Sequence, residues 1–260
     1  MLRTVWAALV AFASTVPSAI AVMVVGAVRG DSPAIERIIR FWARSILWGA
    51  GIELKTVGTE LLDPNARYIL VANHYSYFDI PCAFTALPTP IRFMAKVSLF
   101  SIPIFGQAIR RTGFIPIDRK NRRTAVKSFD MATERIRRGH AIMIFPEEGR
   151  SRERQMRPFQ RGAFLLALKS ELPVVPVAID GTYDVFRAGA KRVTPGRVTV
   201  TVTPPIATAG LTLKDKERLA DESRARIARI LFGDAAANEP APSPVEQSED
   251  RPAAESADRA

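Results

Sequence analysis

Tyr68-Ile69-Leu70-Val71-Ala72-Asn73-His74-Tyr75-Ser76-Tyr77-Phe78-Asp79 decides the fold. Its first five residues form an apolar run of strand length, and from about Ser76 a helical pattern takes over and continues to Leu87. A strand that hands over to a helix places Asn73 to Asp79 at the sheet edge where α/β domains gather their active sites. His74 with Asp79 five residues on is a base with an orienting partner. A neutral imidazole takes a proton from a hydroxyl at neutral pH, and a carboxylate on its other nitrogen fixes the tautomer and stabilises the imidazolium. The pair suits acyl transfer to an alcohol; taken alone, it is also compatible with an Asp at a helix start and a packed His.

Working outward, Ile91 to Ala95, Phe114 to Ile117, Ala141 to Phe145, Val174 to Ile179 and Arg197 to Val202 read as further strands. Helices are expected near Ser98 to Arg111, Arg122 to Arg138, Gly162 to Glu171 and Lys214 to Phe232. The alternation predicts an α/β domain with a largely parallel sheet. Val126, Phe129, Ala132 and Ile136 mark the inward stripe of the helix from Arg122, with Gly139 as its stop. Pro176, inside an apolar strand, calls for an edge or a bulge.

Thr4 to Val28 is 25 residues without a charge, between Arg3 and Arg29, and about 20 apolar residues span a bilayer. Pro17 is expected to kink this helix or split it into two arms that dip into the bilayer and return. A secretory signal is the third reading, from Ala19-Ile20-Ala21, although Val22 to Val25 continue the apolar run beyond that site. From Ser32 to about Trp48, Ile35, Ile38, Ile39, Trp42 and Ile46 recur at helical spacing opposite Arg37, Arg40 and Arg44. Such a helix lies in a headgroup layer with its arginines on phosphates, or packs on the protein's own core. Residues 1–50 are thus read as membrane-associated helices, 51–232 as the catalytic domain, and 233–260 as a disordered acidic tail rich in Ala and Pro.

The net charge of +11 is uneven: from Gly233 onward seven acids face two arginines, so the tail carries −5 and the rest +16. A body this basic suits an anionic membrane surface or phosphorylated substrates. Nucleic acid is disfavoured, because aromatic residues do not interleave with the basic clusters. Cys82, the single cysteine, permits no intramolecular disulfide and no cysteine-based metal site, and is expected to be plain packing.

Three more segments end apolar runs with groups suited to an anionic substrate: Gly113 to Arg119, Phe145 to Ser151, and Val174 to Val177. The planar fork of arginine binds phosphate with paired charge-assisted bonds, so Arg119 and Arg150 can clamp one phosphate from two sides. In this order and spacing, the segments resemble the blocks of the 1-acylglycerol-3-phosphate acyltransferase family, within the glycerolipid acyltransferases, over roughly Gly51 to Thr203. Asn73, His74 and Asp79 match its first block, Asn-His, any four residues, then Asp, with Ser76 at a position that is commonly serine. Arg119 matches the second block, Glu147 and Arg150 the third, and Val175-Pro176-Val177 the fourth. Met94 to Gly106 is similar to the segment between blocks one and two, and Pro158 to Gly162 to the one after block three. Three positions depart: Glu148 and Gly149 stand where the third block usually has Gly-Thr, and Ser98 where a glutamate is usual.

The resemblance implies the glycerolipid acyltransferase fold, a single mixed, largely parallel sheet flanked by helices. It also implies transfer of a fatty acyl group from acyl-CoA or acyl-carrier protein to the hydroxyl of lysophosphatidic acid, giving phosphatidic acid. His74 would be the general base, oriented by Asp79, while Asn73, Ser76, Lys96, Arg119, Glu147, Gly149 and Arg150 would bind substrate. Amides at the start of the Ser76 helix are candidates for supporting the oxyanion. No metal or further cofactor is expected beyond the thioester co-substrate. The expected location is the inner (plasma) membrane, with the catalytic domain on the cytoplasmic side, because Arg29 follows the apolar stretch. Other readings are a different acceptor (another lysophospholipid, a lyso-aminolipid or glycerol 3-phosphate) and a non-catalytic lipid-binding protein at the membrane surface.

Overall fold

The computed structural model describes residues 1–118 and 122–234, with side chains throughout except at 122–126. The expectations for Arg119 and for the tail beyond residue 234 therefore lie outside the described residues. Seven strands make one sheet: β1 (Ile52–Val57), β2 (Ile69–Ala72), β3 (Ile91–Lys96), β4 (Ile115–Ile117), β5 (Ala141–Ile144), β6 (Val174–Asp180) and β7 (Gly196–Val202). Their order is β1-β7-β6-β2-β5-β3-β4. All neighbours run parallel except β6 and β7. The mixed, largely parallel sheet is thus as expected, with β1 added at the edge.

The helices are α1 (Leu2–Arg29), α2 (Pro33–Ala50), α3 (Asp79–Ala86), α4 (Phe105–Arg111), α5 (Arg122–Arg137), α6 (Gly162–Ser170), α7 (Thr182–Phe186) and α8 (Lys216–Phe232). Strand β2 shows why the sheet is covered twice. Leu70 and Ala72 enter one core with Ile39 of α2 and Phe84 of α3, whereas Ile69 and Val71 enter the other with Ala132 of α5, Phe164 of α6 and Ile227 of α8. A strand buried on both faces reads as a continuous apolar run, and Ile69 to Ala72 is one. Cys82 is buried in the first core, as expected.

Pro176 is neither on an edge strand nor at a bulge. It lies in β6 between β2 and β7, paired with Val71. Its carbonyl accepts from both the amide and the hydroxyl of Thr203, each at 3.0 Å. Because the N–H and C=O of one strand residue point the same way, the missing N–H falls beyond the β6–β7 ladder, which begins at the Val177 and Val202 pair.

The structure decides between readings that the sequence left open for the N-terminal helices. Helix α1 runs unbroken through Pro17, so neither two arms nor a hairpin forms within it. Packing on α2 holds it: the Trp42 indole N–H donates to Thr15 Oγ1 at 2.9 Å, and Arg3 Nε donates to the carbonyl of Ala50. A Cβ on Gly49 would lie 2.7 Å from Val10 Cγ1, so the two backbones approach as only glycine allows. The apolar face of α2, with Ile35, Ile39, Ala43 and Leu47 buried, packs on the protein rather than facing a headgroup layer. Its Arg40 donates to the carbonyls of Phe84, Leu87 and Pro88 and so satisfies the end of α3. Phe12 and Val28 of α1, and Phe41 and Trp48 of α2, remain exposed.

Buried charge fastens this helix pair to the sheet. Arg92 of β3 has no exposed surface, and it donates to Ile91 O at 2.8 Å while pairing with Glu36 of α2 at 2.5 Å and Asp31, in the α1–α2 turn, at 3.4 Å. His140 Nε2 lies 3.6 Å from Asp31 Oδ2 and its Nδ1 lies 3.2 Å from the carbonyl of Arg135, whose guanidinium also faces Asp31. Burial, then the charge of Arg92, push the His140 pKa below its ordinary 6.5, with Asp31 and Glu36 opposing. The unfolded chain thus takes up this proton more readily than the folded one, so the contribution of His140 to stability falls as pH drops below 6.5. His140→Gln is expected to reduce the acid-side slope in urea titrations between pH 5 and 8.

Candidate active site

The expected site residues gather where parallel strands end. His74 follows β2, Lys96 ends β3, and Gly149 and Arg150 follow β5. Sequence separation gives no hint that these loops touch, but the strand order sets β2, β5 and β3 side by side.

His74 Nδ1 lies 2.7 Å from Asp79 Oδ2. The same oxygen accepts from the backbone N–H groups of Tyr75 and Ser76, each at 2.8 Å. Asp79 is fully buried and opens α3, where the helix dipole favours its charge. With Asp79 accepting at Nδ1, the imidazole carries its proton there and leaves Nε2 as the base. The ring stacks on Phe145 with centroids 4.0 Å apart, which fixes its plane. These bonds also correct one expectation. The amides of Tyr75 and Ser76 are taken by Asp79, and that of Phe78 by Ser76 Oγ, so the start of this helix offers none of them to an oxyanion.

Three residues expected on substrate are instead engaged inside the protein. Asn73 exchanges two 2.8 Å bonds with the backbone of Ile179, locking the end of β2 to β6. Ser76 Oγ donates to the carbonyl of Phe186 at 2.7 Å. Glu147 accepts from the amides of His74 at 2.8 Å and Arg157 at 2.9 Å, one on each carboxylate oxygen. Its burial raises its pKa to about 8, against the pull of these two N–H groups. Since Ser151 N–H also donates to the carbonyl of His74, the backbone of the base is held from both sides by the loop after β5. The sequence shows which residue types stand in the motif, but not that their partners include backbone groups as far as 110 positions away.

Lys96, Gly149 and Arg150 do line a cavity of about 850 Å³, together with His74, Tyr77, Asp118 and Glu148. Its remaining wall is mostly apolar: Ala19 and Val22 of α1, Ile38, Ile39 and Trp42 of α2, and Phe84, Phe93 and Phe114 from α3, β3 and the approach to β4. The part α1 and α2 play in this wall was not legible, because their apolar stripes look like any core-facing helix. A mostly apolar wall that also carries Lys96 and Arg150 suits a molecule with a long chain and a charged head.

A family model described as Acyltransferase matches residues 53–180. Human 1-acyl-sn-glycerol-3-phosphate acyltransferase alpha is 33% identical over 199 residues, covering 76% of this chain and 70% of that protein. The mouse protein of the same name is 33% identical over 215 residues, covering 82% and 75%. The chain belongs to the 1-acyl-sn-glycerol-3-phosphate acyltransferase family. The crystal structure of the 1-acyl-sn-glycerophosphate (LPA) acyltransferase PlsC from Thermotoga maritima shares its fold, with a TM-score of 0.76 at 24% identity over 88% of this chain and 93% of that one. In this acyltransferase Glu148, at the third block's usual glycine, has φ 59. That is the left-handed region where glycine is at ease and other residues are strained, which explains why a glycine fits the position.

Proposed function

We propose that this acyltransferase moves a fatty acyl group from a thioester, acyl-CoA or acyl-carrier protein, to the free hydroxyl of lysophosphatidic acid. The observation that carries the reading is the His74–Asp79 pair on a mostly apolar cavity whose lining also includes Lys96 and Arg150. The acceptor hydroxyl gives its proton to His74 Nε2 as its oxygen bonds to the thioester carbonyl carbon. The C–S bond then breaks, and His74 returns the proton to the leaving thiolate. The products are phosphatidic acid and a free thiol, with no acyl-enzyme and no cofactor beyond the donor. Asp79 stabilises the transient imidazolium, while Arg150 and Lys96 hold the acceptor phosphate. The names of the human and mouse relatives, both acyltransferases of 1-acyl-sn-glycerol 3-phosphate, support this acceptor.

The enzyme works at a membrane in this reading. Helix α1 is long and apolar enough to cross a bilayer, and the side turned from α2 carries exposed Leu9, Phe12, Val24 and Val28. Arg29 at its end favours placing the catalytic domain on the cytoplasmic side, where acyl-CoA resides. The test is conversion of lysophosphatidic acid and labelled acyl-CoA or acyl-carrier protein to phosphatidic acid by membranes containing the protein. Activity with one donor is expected, and turnover confined to other lysolipids would move the assignment to a different acceptor. The carboxylate of Glu148 beside the phosphate-binding end is the feature that favours testing those acceptors.

A further inference from the structure

The guanidinium of Arg150 lies over the ring of Tyr77, with its central carbon 3.6 Å from the ring centroid. Tyr77 belongs to the turn between His74 and Asp79, Arg150 to the loop after β5, and both line the cavity beside His74. No carboxylate pairs with Arg150 among the described residues, whereas Arg154, Arg161 and Arg197 each have one. Tyr77 is 61% exposed, too open to serve as core packing, and its OH makes no hydrogen bond among the described residues. A large aromatic left in water beside a reactive loop calls for an explanation other than stability.

We propose that Tyr77 is a positioning residue that holds Arg150 for the phosphate of the acceptor without using any of the arginine's donors. A carboxylate partner would occupy the guanidinium fork and compete with the incoming phosphate. An aromatic face instead attracts the cation through its π surface and puts no acceptor oxygen in the guanidinium fork, so the N–H groups stay available to a phosphate. The arrangement also couples phosphate binding to catalysis. The turn carrying Tyr77 is pinned at Tyr75 and Ser76 by the same Asp79 oxygen that orients His74, so the arginine's resting place is set by the base's own support. The inference rests on the proposed phosphate-bearing acceptor.

The test measures steady-state kinetics with lysophosphatidic acid for wild type, Tyr77→Phe, Tyr77→Leu, Arg150→Ala and the Tyr77→Leu/Arg150→Ala double variant, with thermal unfolding recorded for each. Removing a cation–π contact at this exposed site should raise KM for the acceptor roughly 2- to 5-fold in Tyr77→Leu while leaving kcat unchanged. Tyr77→Phe, which keeps the ring, should restore the wild-type KM. In the double variant the loss of Tyr77 should add nothing to the loss of Arg150, because the ring acts only through the arginine. An unchanged KM in Tyr77→Leu, a fall confined to kcat, or full additivity in the double variant would overturn the inference while the acceptor assignment stands. Wild-type protein inactive on lysophosphatidic acid would refute that assignment, and this inference with it.

Discussion

His74→Ala is expected to lower turnover by about 10²- to 10⁴-fold, the usual contribution of a positioned general base. The fold should survive, because what holds the loop is backbone. The carbonyl of His74 still accepts from Ser151, its amide still donates to Glu147, and Asp79 keeps the amides of Tyr75 and Ser76. Asp79→Asn should lower kcat on a similar scale for a different reason. The asparagine can still accept from the two amides, but the negative charge that stabilises the imidazolium is gone. Labelled-acyl assays on both variants, with circular dichroism matched to wild type, check the pair. Wild-type turnover in His74→Ala would remove the base from the mechanism.

Arg92→Met is expected to destabilise the protein by about 3–5 kcal/mol, the range for stripping one partner from a buried ion pair. The side chain of Arg92 is wholly buried, and those of Glu36 and Asp31 are only 18% and 23% exposed, so the two carboxylates would be left close together and poorly hydrated. Arg135 and His140 lie 4.0 and 3.6 Å from Asp31 and offer partial compensation to that carboxylate. Glu36→Gln in the Arg92→Met background should therefore recover part of the loss. Urea unfolding followed by tryptophan fluorescence is well suited to the test, because Trp6, Trp42 and Trp48, the three tryptophans of the chain, all lie in α1 and α2.

The alternation of apolar runs and helical stripes made the α/β class legible, and it located six of the seven strands. Strand β1 escaped because Ile52-Glu53-Leu54-Lys55-Thr56-Val57 is half polar and pairs with β7 alone, at the open edge of the sheet. Helix α7, five residues from Thr182 to Phe186, is too short to show a period. Pro17 pointed to a kink or a split in α1, and the helix that packs against α2 is not split. At the site, His74 and Asp79 were readable because five residues separate them. The partnership of Glu147 with the amides of His74 and Arg157 was not, since it depends on two loops meeting across the β2–β5 pair. His140 gave no sequence signal at all, and its surroundings come entirely from α5, β3 and the α1–α2 turn.

Helices α1 and α2 wall the cavity with one side and expose apolar residues on the other. Moving an acyl chain through water costs about 0.8 kcal/mol for each methylene, or about 8 kcal/mol for ten of them. In the proposed membrane-bound enzyme, where the outer faces would lie in lipid, a lysolipid would pass from bilayer to cavity with its tail never hydrated, and the encounter would become a search in two dimensions. The concentration that governs its rate is then the mole fraction of lysolipid in the surface, not its amount per volume of solution.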